Sequence, residues 1–102
     1  MNKKINGKTY NTETAKLIAS RDNGLGRHEI EYVEEELYKK ETGEYFLYGH
    51  GGAMSRYAQP AECDNWTGGA EIIPFTVDEA KKWMKGNASA DDYIAEFGGV
   101  EE

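Results

Sequence analysis

The stretch Glu36-Leu37-Tyr38-Lys39-Lys40-Glu41-Thr42-Gly43-Glu44-Tyr45-Phe46-Leu47-Tyr48-Gly49 reads as a β-hairpin. Two β-prone runs flank Glu-Thr-Gly, and Gly43 stands where a three-residue hairpin loop needs a residue with positive φ. That loop is a type I turn closed by a bulge, and glycine takes the bulge position without steric cost. The turn fixes the register. Lys40 should oppose Glu44, Lys39 should oppose Tyr45, Tyr38 should oppose Phe46 and Leu37 should oppose Leu47. One face then carries Leu37 and Leu47 and the other Tyr38 and Phe46, with Tyr45 and Tyr48 enriching both. Strands apolar on both sides are expected in the middle of a sheet, or with a helix on one face and a loop on the other.

Upstream, Glu29-Ile30-Glu31-Tyr32-Val33-Glu34-Glu35-Glu36-Leu37-Tyr38-Lys39-Lys40 alternates apolar residues with charges and favours strand. The run Glu34-Glu35-Glu36 disturbs the alternation, as a bulge or bend would. Residues 21–28 form a loop by composition. Residues 12–20 fit a strand with Ala15, Leu17 and Ala19 on one face, or a helix grouping Ala15, Ile18 and Ala19, and we favour the strand. Asn6-Gly7 is a two-residue turn signal within residues 3–11, where we expect a small ribbon or one bent strand.

Downstream, residues 49–71 are rich in glycine and long for a structureless segment, which is more often functional or mobile. Glu71-Ile72-Ile73-Pro74-Phe75 reads as a short strand that ends at Pro74 or lies at an edge, because proline donates no backbone hydrogen bond. Thr76-Val77-Asp78-Glu79 is a capping box with Phe75 and Ala80 at the staple positions. It predicts a helix over 77–85 with Val77, Ala80, Trp83 and Met84 on one face, stopped by Gly86. Ser89 caps a second helix over 90–97, where Ala90, Tyr93, Ile94 and Phe97 share a face. Strands first and a helical pair last predict an α+β domain: a small antiparallel sheet with the 36–49 hairpin at its centre and both helices on one face, in one domain over 1–102.

The net charge is −7, which disfavours a phosphate backbone as ligand and suits a basic partner. The single cysteine, Cys63, has no internal partner for a disulfide. The lysines near the N-terminus precede no apolar segment, and no apolar run approaches the length of a membrane span. A cytoplasmic location without membrane contact is the expectation.

Candidate chemistry is sparse. The loop Gly49-His50-Gly51-Gly52-Ala53-Met54-Ser55-Arg56-Tyr57 lacks the Gly-Lys-Ser/Thr ending of a P-loop and the spacing of a dinucleotide fingerprint. If it binds a small ligand or nucleotide, Arg56 and His50 are the groups to test. His28, His50 and Cys63, with Glu62 and Asp64, lack zinc-ligand spacing, and the carboxylates beside Cys63 weaken it as a nucleophile. No catalytic signature, cofactor motif or metal set is expected. Two acidic clusters remain. Glu29, Glu31, Glu34, Glu35 and Glu36 form the first, with Glu29, Glu31 and Glu35 projecting to one side of a strand. Asp91, Asp92, Glu96, Glu101 and Glu102 form the second. Either is a solvated face, or a surface that docks on a basic partner. Tyr45, Tyr48, Tyr57 and Trp66, with Tyr38 as a further candidate, form an aromatic supply near the long loop and are expected to serve as contact anchors beside glycine-rich backbone, with the alternative that Trp66 folds back over the sheet.

Three blocks together carry a resemblance: Asn6-Gly7-Lys8-Thr9-Tyr10-Asn11-Thr12-Glu13-Thr14-Ala15; Leu37 to Lys40 through Gly43 to Met54; and Ile72-Ile73-Pro74-Phe75-Thr76 with Glu79-Ala80. They resemble small proteins of gut anaerobic bacteria and their phages, plasmids and transposons. The resemblance implies an accessory protein of a mobile element, a class that includes inhibitors of CRISPR nucleases and restriction enzymes. The expectation is a non-enzymatic protein-interaction module, with a small-ligand or nucleotide-binding domain using loop 49–71 as the alternative.

Overall fold

The computed structural model describes residues 2–26, 29–60 and 66–98. His28, Glu62, Cys63, Asp64, Glu101 and Glu102 lie outside the described residues. The hairpin leads the architecture. Strands β4 (Val33–Lys39) and β5 (Tyr45–Gly51) pair with Leu37 opposite Leu47, Tyr38 opposite Phe46 and Lys39 opposite Tyr45. Gly43 has φ 92°, and its N–H donates to the Lys40 carbonyl at 2.9 Å. The Lys40 N–H donates to the Glu44 carbonyl at 2.8 Å, closing the turn.

A four-stranded antiparallel sheet has the order β3-β4-β5-β8, where β3 is Lys16–Asp22 and β8 is Gly69–Phe75. Pro74 lies within β8, an edge strand of this sheet, as a residue without an N–H requires. A separate two-stranded ribbon joins β1 (Asn2–Ile5) to β2 (Lys8–Asn11) through Asn6 (φ 51°) and Gly7 (φ 79°), the positive pair of a type I′ turn. A second ribbon pairs β6 (Gln59–Pro60) with β7 (Trp66–Thr67), so residues 49–71 carry more regular structure than their composition suggests.

The sheet is buried on both sides. On one face Ala19, Leu37, Tyr45 and Leu47 pack with Ala80 and Met84 of helix α1 (Val77–Asn87), joined by Tyr93 and Phe97 of α2 (Ala90–Phe97). On the other face Tyr38, Phe46 and Ile72 pack with Tyr10 and Ile5 of the β1–β2 ribbon. The chain is therefore layered as ribbon, sheet and helices. Both capping signals act as read: Thr76 accepts from the Glu79 N–H while the Glu79 carboxylate accepts from the Thr76 N–H, and Ser89 accepts from the Asp92 N–H.

Several expectations are corrected. Residues 12–15 are outside the strand, which begins at Lys16. A bulge between Leu17 and Ala19 breaks the expected alternation, so Ala19 joins the helix face, Ala15 packs toward the ribbon face and Leu17 is exposed. Residues 29–32 form a turn stabilised by the Tyr32 N–H donating to the Glu29 carbonyl at 3.3 Å, and β4 starts only at Val33. The pairing of β4 with β5 runs unbroken through Glu34-Glu35-Glu36, so the bulge lies on β3 instead. Val77 and Ile94 are exposed although their spacing places them with the buried residues of their helices, because each lies at the margin of a face that reaches the sheet through Ala80, Met84, Tyr93 and Phe97.

Candidate functional site

Three groups of side chains gather at the end of the sheet where β3 ends, β4 begins and β5 ends.

The first centres on Glu35. Its strand position pairs it with Gly49 and Arg21, which places all three on the helix face. The carboxylate is 2% exposed. Arg21 Nη1 donates to Oε1 at 2.9 Å and Trp83 Nε1 donates to the same oxygen at 3.4 Å. The Tyr57 hydroxyl donates to Oε2, with Arg56 Nη1 3.5 Å from that oxygen. Burial is the largest single influence and pushes the carboxyl pKa up. The hydrogen bonds from Tyr57, Arg21 and Trp83 and the charge of Arg56 together outweigh it and hold the group below the ordinary carboxylate range. Gly49 makes room for this arrangement: a Cβ there would lie 2.0 Å from the Tyr57 ring. The same Tyr57 phenol is pushed upward by its burial and by the Glu35 carboxylate.

The second group lies on the opposite face, beyond the ribbon. Glu34 opposes His50 and Glu36 opposes Tyr48 across β4 and β5. His50 Nε2 is 2.9 Å from Glu34 Oε2, and the Tyr32 hydroxyl is 2.7 Å from His50 Nδ1. The Tyr48 ring lies 5.2 Å from the imidazole, centroid to centroid.

The third group is a tip built from loops. Gly52 donates its N–H to the Tyr32 carbonyl at 3.0 Å and Met54 donates to the Ile30 carbonyl at 2.7 Å. A Cβ on Gly52 would lie 2.5 Å from the Ile30 carbonyl oxygen, and one on Gly68 would lie 2.7 Å from that of Gly51. The glycines therefore let the segments around residues 30, 52 and 68 approach backbone to backbone. Ile30 at 53% exposure and Met54 at 65% project from these segments, and Trp66, at 60% exposure, stands two residues before Gly68 on β7. Glu29 and Glu31, both exposed, flank Ile30.

The ten residues singled out from the sequence thus separate. Glu35, Arg56 and Tyr57 share the helix-face network. Glu34, Glu36, Tyr48 and His50 share the ribbon face. Glu29, Glu31 and Trp66 belong to the tip. The expectation that Glu29, Glu31 and Glu35 line one solvated side is overturned, because the first two lie in a turn and the third is buried by groups from β3, loop 52–58 and α1. Trp66 does not fold back over the sheet. Sequence reasoning missed Arg21, Tyr32, Ile30 and Met54 as members of these groups. Only the period-2 geometry of the sheet, which sets Arg21 beside Glu35, carried a signal, and the bulge in β3 obscured it. Among the described residues no group of three or more His, Cys, Asp and Glu side chains is placed to hold a metal ion, and no helix is long and apolar enough to cross a membrane.

Comparison of the chain with protein-family models, with curated proteins and with solved structures finds no match.

Proposed function

We propose that this chain is a non-enzymatic protein-interaction module that docks a basic partner on its loop tip, as an inhibitor or accessory factor of a mobile element would. The observation that supports this reading is the tip itself: Ile30, Met54 and Trp66 stand exposed on closely packed backbone, with Glu29 and Glu31 beside them. Large apolar side chains held outward on a pre-organised platform are the usual anchors of a contact surface, because little conformational freedom is lost on binding. The flanking carboxylates and a net charge of −7 select a partner with an apolar socket rimmed by Lys and Arg, and speed its approach. A protein that grips nucleic acid offers such a surface.

The test uses two baits in parallel, the native chain and the Ile30→Asp, Met54→Asp double variant, for capture from the source cell at low and high salt. Basic proteins held by the native bait, weakened by salt and lost from the variant, support the proposal. The same proteins on both baits refute the tip as the contact surface. Native chain that self-associates in light scattering while the double variant stays monomeric assigns the tip to a second copy and refutes the basic partner.

A further inference from the structure

Docking leaves one constellation unused. Tyr32, His50 and Glu34 form a hydroxyl–imidazole–carboxylate chain with contacts of 2.7 and 2.9 Å. In the tautomer that donates its Nε2–H to the carboxylate, Nδ1 accepts the Tyr32 O–H. His50 and Glu34 sit on adjacent paired strands, and the Tyr32 carbonyl is held by the Gly52 N–H at 3.0 Å, so the chain of contacts is built on fixed backbone.

The other phenols supply the contrast. Tyr38, Tyr45 and Tyr57 each donate to a carboxylate, of Glu36, Glu96 and Glu35. Burial and the neighbouring negative charge hold all three protonated, Tyr38 up to about 12. A carboxylate partner weakens a phenol as a nucleophile. An imidazole backed by its own carboxylate does the opposite, since it can take the proton during attack and be stabilised as the cation.

We infer that Tyr32 is an activated phenol and a self-modification site that takes an acyl group from an uncharged activated ester. The Tyr32 Oη bonds to the ester carbonyl carbon while its proton passes to His50 Nδ1. The carbon–oxygen bond to the leaving group then breaks, and the departing aryloxide takes that proton from the imidazolium. The products are acyl-Tyr32 and the free phenol, with no oxidant or metal in the balance. The donor is uncharged because Glu36 and Asp22 lie on this face, where they repel acyl phosphates. The Tyr48 ring beside His50 gives an aryl group an apolar wall.

The probe is p-nitrophenyl acetate, with acetylated peptides quantified by mass spectrometry over time. Tyr32 should acetylate at least about tenfold faster than Tyr93 in the same sample, and His50→Gln should lower the Tyr32 rate about tenfold or more while leaving Tyr93 unchanged. Glu34→Gln should lower it several-fold. A native Tyr32 rate equal to that of Tyr93, or acetyl groups on lysines alone, overturns the inference. An unchanged Tyr32 rate in His50→Gln also overturns it. If His50→Gln unfolds the chain, seen as new acetylation of buried Tyr38 and Tyr57, the native ratio and the Glu34→Gln variant decide.

Discussion

Replacing Glu35 with Gln removes one charge and keeps the shape of the side chain. The native carboxylate receives hydrogen bonds from Arg21, Trp83 and Tyr57, with Arg56 close by. Removing one partner of a buried ion pair costs ~3–5 kcal/mol, and the exposure of Arg21 lets water recover part of that. The amide still accepts from Arg21 and Trp83, but its NH2 meets the Tyr57 hydroxyl, which must turn from donor to acceptor. The net loss should be about 2–3 kcal/mol, a large share of the stability of a small domain. Urea denaturation followed by Trp fluorescence measures it. With a slope of about 1 kcal/mol/M for a chain of this size, the midpoint should fall by roughly 2–3 M. The pH dependence carries a second check. The folded pKa of Glu35 lies below its unfolded value of 4.5, so its stabilisation is complete above that pH and disappears as pH falls through the folded value. The gap between native chain and Glu35→Gln should therefore close below about pH 4.5. A loss under about 0.5 kcal/mol at pH 7, or a gap that stays constant into acid, would refute the view that this carboxylate holds β3, β4, loop 52–58 and α1 together.

Gly49→Ala puts a Cβ into the Tyr57 ring and should cost ~2–3 kcal/mol, read from the same melts, with quenched Tyr57 burial visible as a gain in nitration at that residue. Glu96→Ala removes the acceptor of the Tyr45 hydroxyl and the partner of Lys39 at 3.1 Å; stability should drop by ~1–3 kcal/mol and amide exchange in α2 should rise more than in β5. Thr76→Ala breaks the capping box and should cost about 1 kcal/mol by thermal melt, with Thr76→Ser restoring most of it.

Local chemistry made part of this fold legible. Gly43 specified the turn, the turn specified the hairpin register, and the alternation of Leu37 with Tyr38 specified two buried faces. Thr76 and Glu79 marked the start of α1 within one turn of chain. What failed to show was set by contacts between distant residues. The bulge at Ile18 turns both Ile18 and Ala19 toward the helix-side cluster, and no pattern within residues 12–20 announces it. Glu35 looks like one of five solvated carboxylates until Arg21, Tyr57 and Trp83 arrive from 14, 22 and 48 residues away. The tip was half legible. Trp66, Glu29 and Glu31 were visible as candidates, but the glycines of residues 49–69 read as flexibility when several of them allow backbone segments to touch.

The order of the elements also has a consequence for how the chain meets its surroundings during synthesis. Leu37, Leu47 and Ile73 leave the ribosome well before Met84 and Phe97, which cover them. At roughly 5–20 residues per second the nine residues that follow Phe75, up to Met84, take about half a second to two seconds to make. Glu35 sits on the same face with its Arg21 and Tyr57 donors already made and its Trp83 donor still to come, so this group keeps one part of that surface polar. Glu35 is thus a polar group on an otherwise apolar sheet face, and the last hydrogen bond it gains, from Trp83, is the one that fastens α1 onto that face.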